Sequence, residues 1–156
     1  MANVLITGTS KGIGLSSALT LARAGHTVYA TMRSADRAAE LAEEAAQEGL
    51  PIHYSVMDVD SDESVSSGTA AIGEAAGVID VLVNNAGVER NGSIEELPMA
   101  DFRAVMETNY FGAALHQGRD SAHAPAAQWL HHQRHFGSRA GFHFAARPLC
   151  CYEIRA

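Results

Sequence analysis

A doubly wound α/β sheet of parallel strands is the fold this sequence predicts, and three observations predict it. Short apolar runs rich in branched residues recur through the first half: "NVLITG", "HTVYATM", "PIHYSVMDV" and "VIDVLVNNAG". Each is nearly continuous rather than alternating, which suits strands buried on both faces of a parallel sheet. Helix-forming stretches separate the runs, and that alternation gives a right-handed doubly wound sheet. The first run also leads directly into a glycine-rich turn, "TGTSKGIG".

Each helix has its own signals. Leu15, Ala18, Leu19 and Ala22 recur at i, i+3, i+4 and i+7, and Gly25 provides a stop. "SADRAAELAEEAAQEG" is strong helix-former sequence ending in Gly49. "DSDESV" offers capping residues for a third helix, and Phe102, Val105, Met106 and Ala113 stripe a fourth.

Composition bounds the rest. A chain of 156 residues holds one core, and 47% hydrophobic with 19% charged residues is globular rather than disordered. A net charge of −7 with no basic stripe argues against a nucleic-acid partner. "MANVLITGTSKG" has no charged n-region and only a short apolar run, so neither a secretory leader nor a membrane span is expected there. Cys150 and Cys151 are adjacent and unsuited to bridging each other, so a reducing, cytoplasmic setting is the expectation.

The glycine-rich turn carries the first chemistry. Gly8, Gly12 and Gly14 stand where a strand turns sharply, lets its backbone approach a pyrophosphate and packs a helix closely. The following helix points its N-terminal amides at the phosphate. The plainer reading is a turn that needs positive φ. Placement after a strand and before an amphipathic helix favours phosphate binding. The segment is not a Walker loop, because Lys11 precedes Gly12.

Thr7-Gly8-x-x-x-Gly12-Ile13-Gly14, then Asp58-Val59, then Asn84-Asn85-Ala86-Gly87, then Asn109 in a helix, resembles the short-chain dehydrogenase/reductase family in order and spacing. The resemblance covers residues 1 to about 115 and implies a Rossmann-type sheet with the first strand central. It implies that Gly8, Thr9, Ser10, Lys11, Gly12, Ile13 and Gly14 cradle a cofactor pyrophosphate. Asp58, beside Val59, would bond the adenine amino group, and Asn85, Ala86 and Gly87 would border the cofactor. Asn109 would be catalytic, holding a water in a proton relay. Plainer roles stand beside these. Asp58 is also placed to cap a helix, the asparagines suit a turn, and Asn109 on a buried stripe must find hydrogen-bond partners in any case.

Charge bears on the choice of dinucleotide. A 2′-phosphate needs cations, whereas plain NAD prefers a carboxylate on the ribose. "YATMRSADR" places Arg33 at the end of the second strand with no acid at its last positions, and Lys11 stands beside the same pocket. NADP is therefore expected over NAD, with Asp36 a mild counterweight. Solvated surface cations are the plainer alternative.

The family's catalysis also needs a tyrosine, a lysine four residues later and an upstream serine. A free phenol near pKa ~10 is a poor base at neutral pH, and lowering it by roughly three units takes ~4 kcal/mol. Lys11 is the only lysine in the chain, and neither Tyr110 nor Tyr152 has a lysine four residues on. The chain therefore reads as a truncated form without turnover. The small alcohol or ketone substrate belongs to the intact parent. The family's homo-oligomer is not expected here, because the helix of its interface is missing.

Residues 116–156 are of another kind and do not read as an independent domain. After Val105 there is no valine and only one isoleucine, Ile154. His131 and His135, with His143, Cys150 and Cys151 downstream, match no compact metal spacing, so no metal site is expected. Back-translated and read one nucleotide later, His135 through Arg139 permit "TSVA" and Pro148 through Ile154 permit "PYAATK". Those are the family's serine and Tyr-x-x-x-Lys motifs at the family's separation. The expectation is a frameshifted translation from about residue 113, giving coil or helix but no fifth parallel strand. The fourth strand would be left as a bare edge. A purposeful tail on a non-catalytic, regulatory nucleotide-binding protein is the alternative.

Overall fold

The computed structural model describes residues 1–115, 132–133 and 150–153. The chain runs β1 (Asn3–Thr7), α1 (Gly12–Arg23), β2 (Thr27–Met32), a 3-10 turn (Ala35–Ala38), α2 (Ala39–Glu48), β3 (Ile52–Val56), α3 (Asp62–Ala76) and β4 (Val81–Asn84). A helical stretch follows as α4 (Met99–Met106), a π turn (Glu107–Phe111) and α5 (Gly112–Leu115). Two further strands are β5 (His132–Gln133) and β6 (Cys150–Glu153).

The sheet order is β3-β2-β1-β4-β6-β5. The first four strands pair in parallel, with Val4 beside both Val28 and Val81. This is the Rossmann-type half-sheet, with β1 central.

Alternation along the strands divides the core into two layers. Val4, Ile6, Val28, Ala30 and Val83 face Leu15, Ala18, Leu19 and Ala22 of α1 and Leu41 of α2. Leu5, Tyr29 and Leu82 face the other way, onto Met57 and onto Val65 and Ile72 of α3. Burial of each large aliphatic side chain contributes about 1.5–3 kcal/mol, so both layers are needed.

The helix ends follow local chemistry. Gly49 closes α2 in the left-handed region at φ 63, where a side chain is strained. Ser61 caps α3 by accepting the Ser64 N–H.

Three expectations need correction. β3 is not buried on both faces: it is an outer strand, and Tyr54 and Val56 are about half exposed. Met106 is exposed, and the buried stripe of the fourth helix is Val105, Thr108, Asn109 and Gly112. Asn109 lies on the stripe as its spacing from Phe102 implies, whereas Thr108 is a polar member that an apolar period misses; hydrogen bonds permit the burial of both. The edge of β4 is not bare. β6 pairs with it antiparallel, Asn84 opposite Cys150 and Val81 opposite Glu153, and β5 pairs with β6. Ladder bonds come from the backbone, so this pairing needs no β-branched run. There is no fifth parallel strand among the described residues. Of the metal-ligand candidates, His131, His135 and His143 lie outside the described residues.

Candidate cofactor cleft

Where β1 ends, the three glycines take three different tasks. Gly8 sits at φ +70, and a Cβ there would come within 2.7 Å of the Ala86 Cα. At Gly14 an added Cβ would lie 2.3 Å from the Gly8 carbonyl oxygen, so α1 packs directly on the turn. Gly12 has positive φ, with nothing within 4 Å of an added Cβ, which leaves open space at the start of α1. The first turn of α1 has no acidic residue and no side-chain cap, so its end retains partial positive charge for an anion.

The turn is locked to its neighbours. Thr9 donates both its N–H and its hydroxyl to the Thr31 carbonyl, at 3.0 and 3.1 Å. Asn85 Nδ2 donates to the carbonyls of Thr7 and Gly8, both at 2.9 Å, while Thr7 Oγ1 accepts the N–H groups of Asn85 and Ala86. β1 and β4 are thus stitched together at the carboxyl edge of the sheet, where open α/β folds bind ligands.

Above this edge opens a cleft of about 270 Å³, just under the ~300–1,000 Å³ typical of small-molecule and cofactor sites. The glycine turn, Arg33, Arg37, Val59 and the segment Asn85 to Val88 line it. Lys11 lines it too, and among the described residues no acidic side chain does. Beneath the cleft Asn109 grips the backbone of Val88: Oδ1 accepts its N–H at 2.8 Å and Nδ2 donates to its carbonyl at 2.9 Å.

The family model described as short chain dehydrogenase matches residues 2–117. The chain belongs to the short chain dehydrogenase family. It is 43% identical over 110 residues to the uncharacterized oxidoreductase YusZ of Bacillus subtilis, covering 69% of this chain and 39% of that protein. It is 40% identical over 108 residues to gluconate 5-dehydrogenase of Gluconobacter oxydans, covering 69% and 42%. Among solved structures it is similar to a gluconate 5-dehydrogenase from Burkholderia cenocepacia in complex with NADP and tartrate, with TM-score 0.67, 34% identity and coverage of 72% and 44%. The chain thus spans less than half the length of these relatives.

Within this short chain dehydrogenase framework the expected residues fall into two groups. Gly8, Ser10, Lys11, Gly12, Ile13, Gly14, Arg33, Val59, Asn85, Ala86 and Gly87 do line the cleft. Thr9 does not, because it is fully buried with its polar groups engaged on Thr31. The Asn85 amide serves the scaffold, with its nitrogen committed to two carbonyls. Asp58 stands outside the lining, and its Oδ1 accepts the Asp60 N–H at 3.1 Å, the turn-forming role. The Asn109 side chain is placed to shape the Val88 segment, rather than to reach into the cleft. Arg37, Met32, Met57, Val88 and Thr108 were not singled out from sequence, although all line the cleft. Arg37 carried a usable signal: it is a second arginine four residues after Arg33. No described helix is long and apolar enough to cross a membrane.

Proposed function

We propose that residues 1–115 are the cofactor-holding portion of an NADP-dependent alcohol/ketone oxidoreductase, and that this 156-residue chain binds the dinucleotide without turning it over. The supporting observation is electrostatic. In a chain of net charge −7, the cleft is lined by Lys11, Arg33 and Arg37 and, among the described residues, by no carboxylate. Such a rim favours a 2′-phosphate over a bare ribose hydroxyl.

The residues divide the work along the cleft. The turn around Gly12 and the N-terminus of α1 receive the pyrophosphate. Arg33 and Arg37, with Lys11 opposite, hold the 2′-phosphate. Met32, Met57 and Val59 offer apolar surface to the adenine. Asn85 to Val88, stiffened from below by Asn109, border the nicotinamide. The nicotinamide, when bound, supplies or takes hydride. Proton transfer at the substrate oxygen needs the lowered-pKa tyrosine, and this chain offers no lysine to pair with one.

Titration of the full chain with NADPH and NADH, followed by cofactor fluorescence, tests the reading. NADPH should bind more tightly, and Arg33→Ala or Arg37→Ala should weaken NADPH by roughly 1.5–3 kcal/mol while leaving NADH unchanged. Equal affinities for the two dinucleotides would contradict it.

Residues 116–156 are, on this reading, an out-of-frame translation, supported by a family match that stops at residue 117. A second reading, a non-catalytic nucleotide-binding protein with a purposeful tail, is favoured by the pairing of residues 150–153 with β4. The coding DNA discriminates between the two. One nucleotide change near codons 112–116 that restores a long open frame carries the first, and its absence carries the second.

A further inference from the structure

The π turn of the fourth helix makes contacts toward both halves of the cleft. Thr108 and Asn109 are consecutive, yet they are 7% and 4% exposed and both carry polar side chains. A π turn, with its extra residue, alters which side chains share a face, and such turns recur at functional sites. Here both residues border one small hollow beneath the cleft, with Thr7, Val59 and Asn84. Asn109 reaches Val88, after β4. Thr108 reaches the other way, its hydroxyl donating to Asp60 Oδ2 at 3.0 Å, after β3.

The Asp60 side of this link is well braced. Asp60 N–H is held by Asp58 Oδ1, Asp58 N–H by Ser64 Oγ, and Ser64 N–H by the capping Ser61 Oγ. Between Asp58 and Asp60 lies Val59, 5% exposed and lining both the cleft and the hollow. Val59 is also pressed against the helix, since a Cβ on Gly112 would come within 3.0 Å of its carbonyl oxygen. Moving the helix therefore moves the Val59 wall.

We propose that the Thr108–Asp60 hydrogen bond is a positioning latch that couples the helix carrying Asn109 to the adenine end of the cleft. The proposal rests on the cofactor reading above and extends it: a ligand filling only the adenine half tightens α4 and its π turn. By linkage, a helix held in place tightens adenine-half binding by the same factor.

Adenosine 2′,5′-bisphosphate is the probe, because it has the adenine and 2′-phosphate but no nicotinamide. Hydrogen exchange of the full chain, with and without it, should show protection spreading from residues 57–61 to residues 105–112. Thr108→Val should abolish the spread to 105–112 and weaken the probe roughly three- to tenfold, as expected for the loss of one ordinary hydrogen bond. Thr108→Ser should restore both. Asp60→Asn keeps a hydrogen-bonding group at the site while removing its charge, and should fall between. A double Thr108→Val/Asp60→Asn variant should bind no more weakly than Thr108→Val alone, because both act on one bond. Undiminished protection of 105–112 in a folded Thr108→Val, or additive losses in the double variant, overturns the latch while leaving the cofactor reading standing. If Thr108→Val does not fold, a Thr108→Ser chain without the spread overturns the latch equally. A wild-type chain that does not bind the probe overturns the cofactor reading and the latch together.

Discussion

Asn84 shows how much a single residue's neighbours decide. It ends β4 with 3% exposure, and its Oδ1 and Nδ2 have no hydrogen-bond partner among the described residues. Leaving such groups buried and unpaired costs about 1–3 kcal/mol. Asn84→Val, a strand-favouring residue of comparable size, should therefore raise stability by about 1 kcal/mol in a urea melt. A loss of stability would show that Asn84 has a partner after all. The adjacent Asn85 has the opposite fate, with its amide nitrogen bonded twice. The resemblance names Asn85 and not Asn84 for the cofactor, and Asn85 lines the cleft while Asn84 does not, but "NNAG" carries no sign that the Asn85 amide is committed to the scaffold. Gly8, Gly12 and Gly14 were legible because each local geometry excludes a side chain or strains one. Asp58 was ambiguous for a physical reason: the carboxylate that suits an adenine amino group suits a turn N–H equally well.

Helices and strands were read well where burial is apolar and continuous. α1 buries Leu15, Ala18, Leu19 and Ala22, the stripe expected from spacing. β3 misled because an apolar run looks alike in a central and an outer strand, and Tyr54 and Val56 emerge on its open side. The fourth helix misled at two places: Met106 is exposed, and Thr108 is buried although a polar residue is invisible to a hydrophobic period. Away from the cleft, α1 and α2 are joined by Arg23 Nε donating to Glu48 Oε2 at 2.8 Å. That hydrogen bond lowers the Glu48 pKa and raises that of Arg23, against the smaller effect of desolvation. A carboxylate whose folded pKa lies below its unfolded one contributes stability above the unfolded value and loses it as pH falls through the folded value. Glu48→Gln should therefore flatten the acid limb of the stability curve slightly, the pair being exposed. Urea melts from neutral to acid pH measure this, and an acid limb as steep as wild type would contradict it.

The whole molecule combines an ordered half-sheet with an added antiparallel ribbon. β4 is apolar and mostly buried, and a strand of that kind with an open edge recruits other chains. β6 covers that edge over four residue pairs, Val81 to Asn84. A chain ending at Leu115 should therefore associate at concentrations where the full chain scatters little light. Equal scattering would mean the ribbon protects nothing. This part was illegible in sequence because edge pairing depends on backbone groups, and the tail shows no strand pattern to signal it. On the proposed function, the cleft takes NADPH and the chain does not turn it over. One sample tests both halves: the full chain with NADPH and a panel of ketones, followed by cofactor fluorescence and NADPH absorbance together. Saturable binding with no loss of NADPH beyond the buffer control is the expected result. Oxidation of NADPH in proportion to chain concentration, or fluorescence that never saturates, would contradict it.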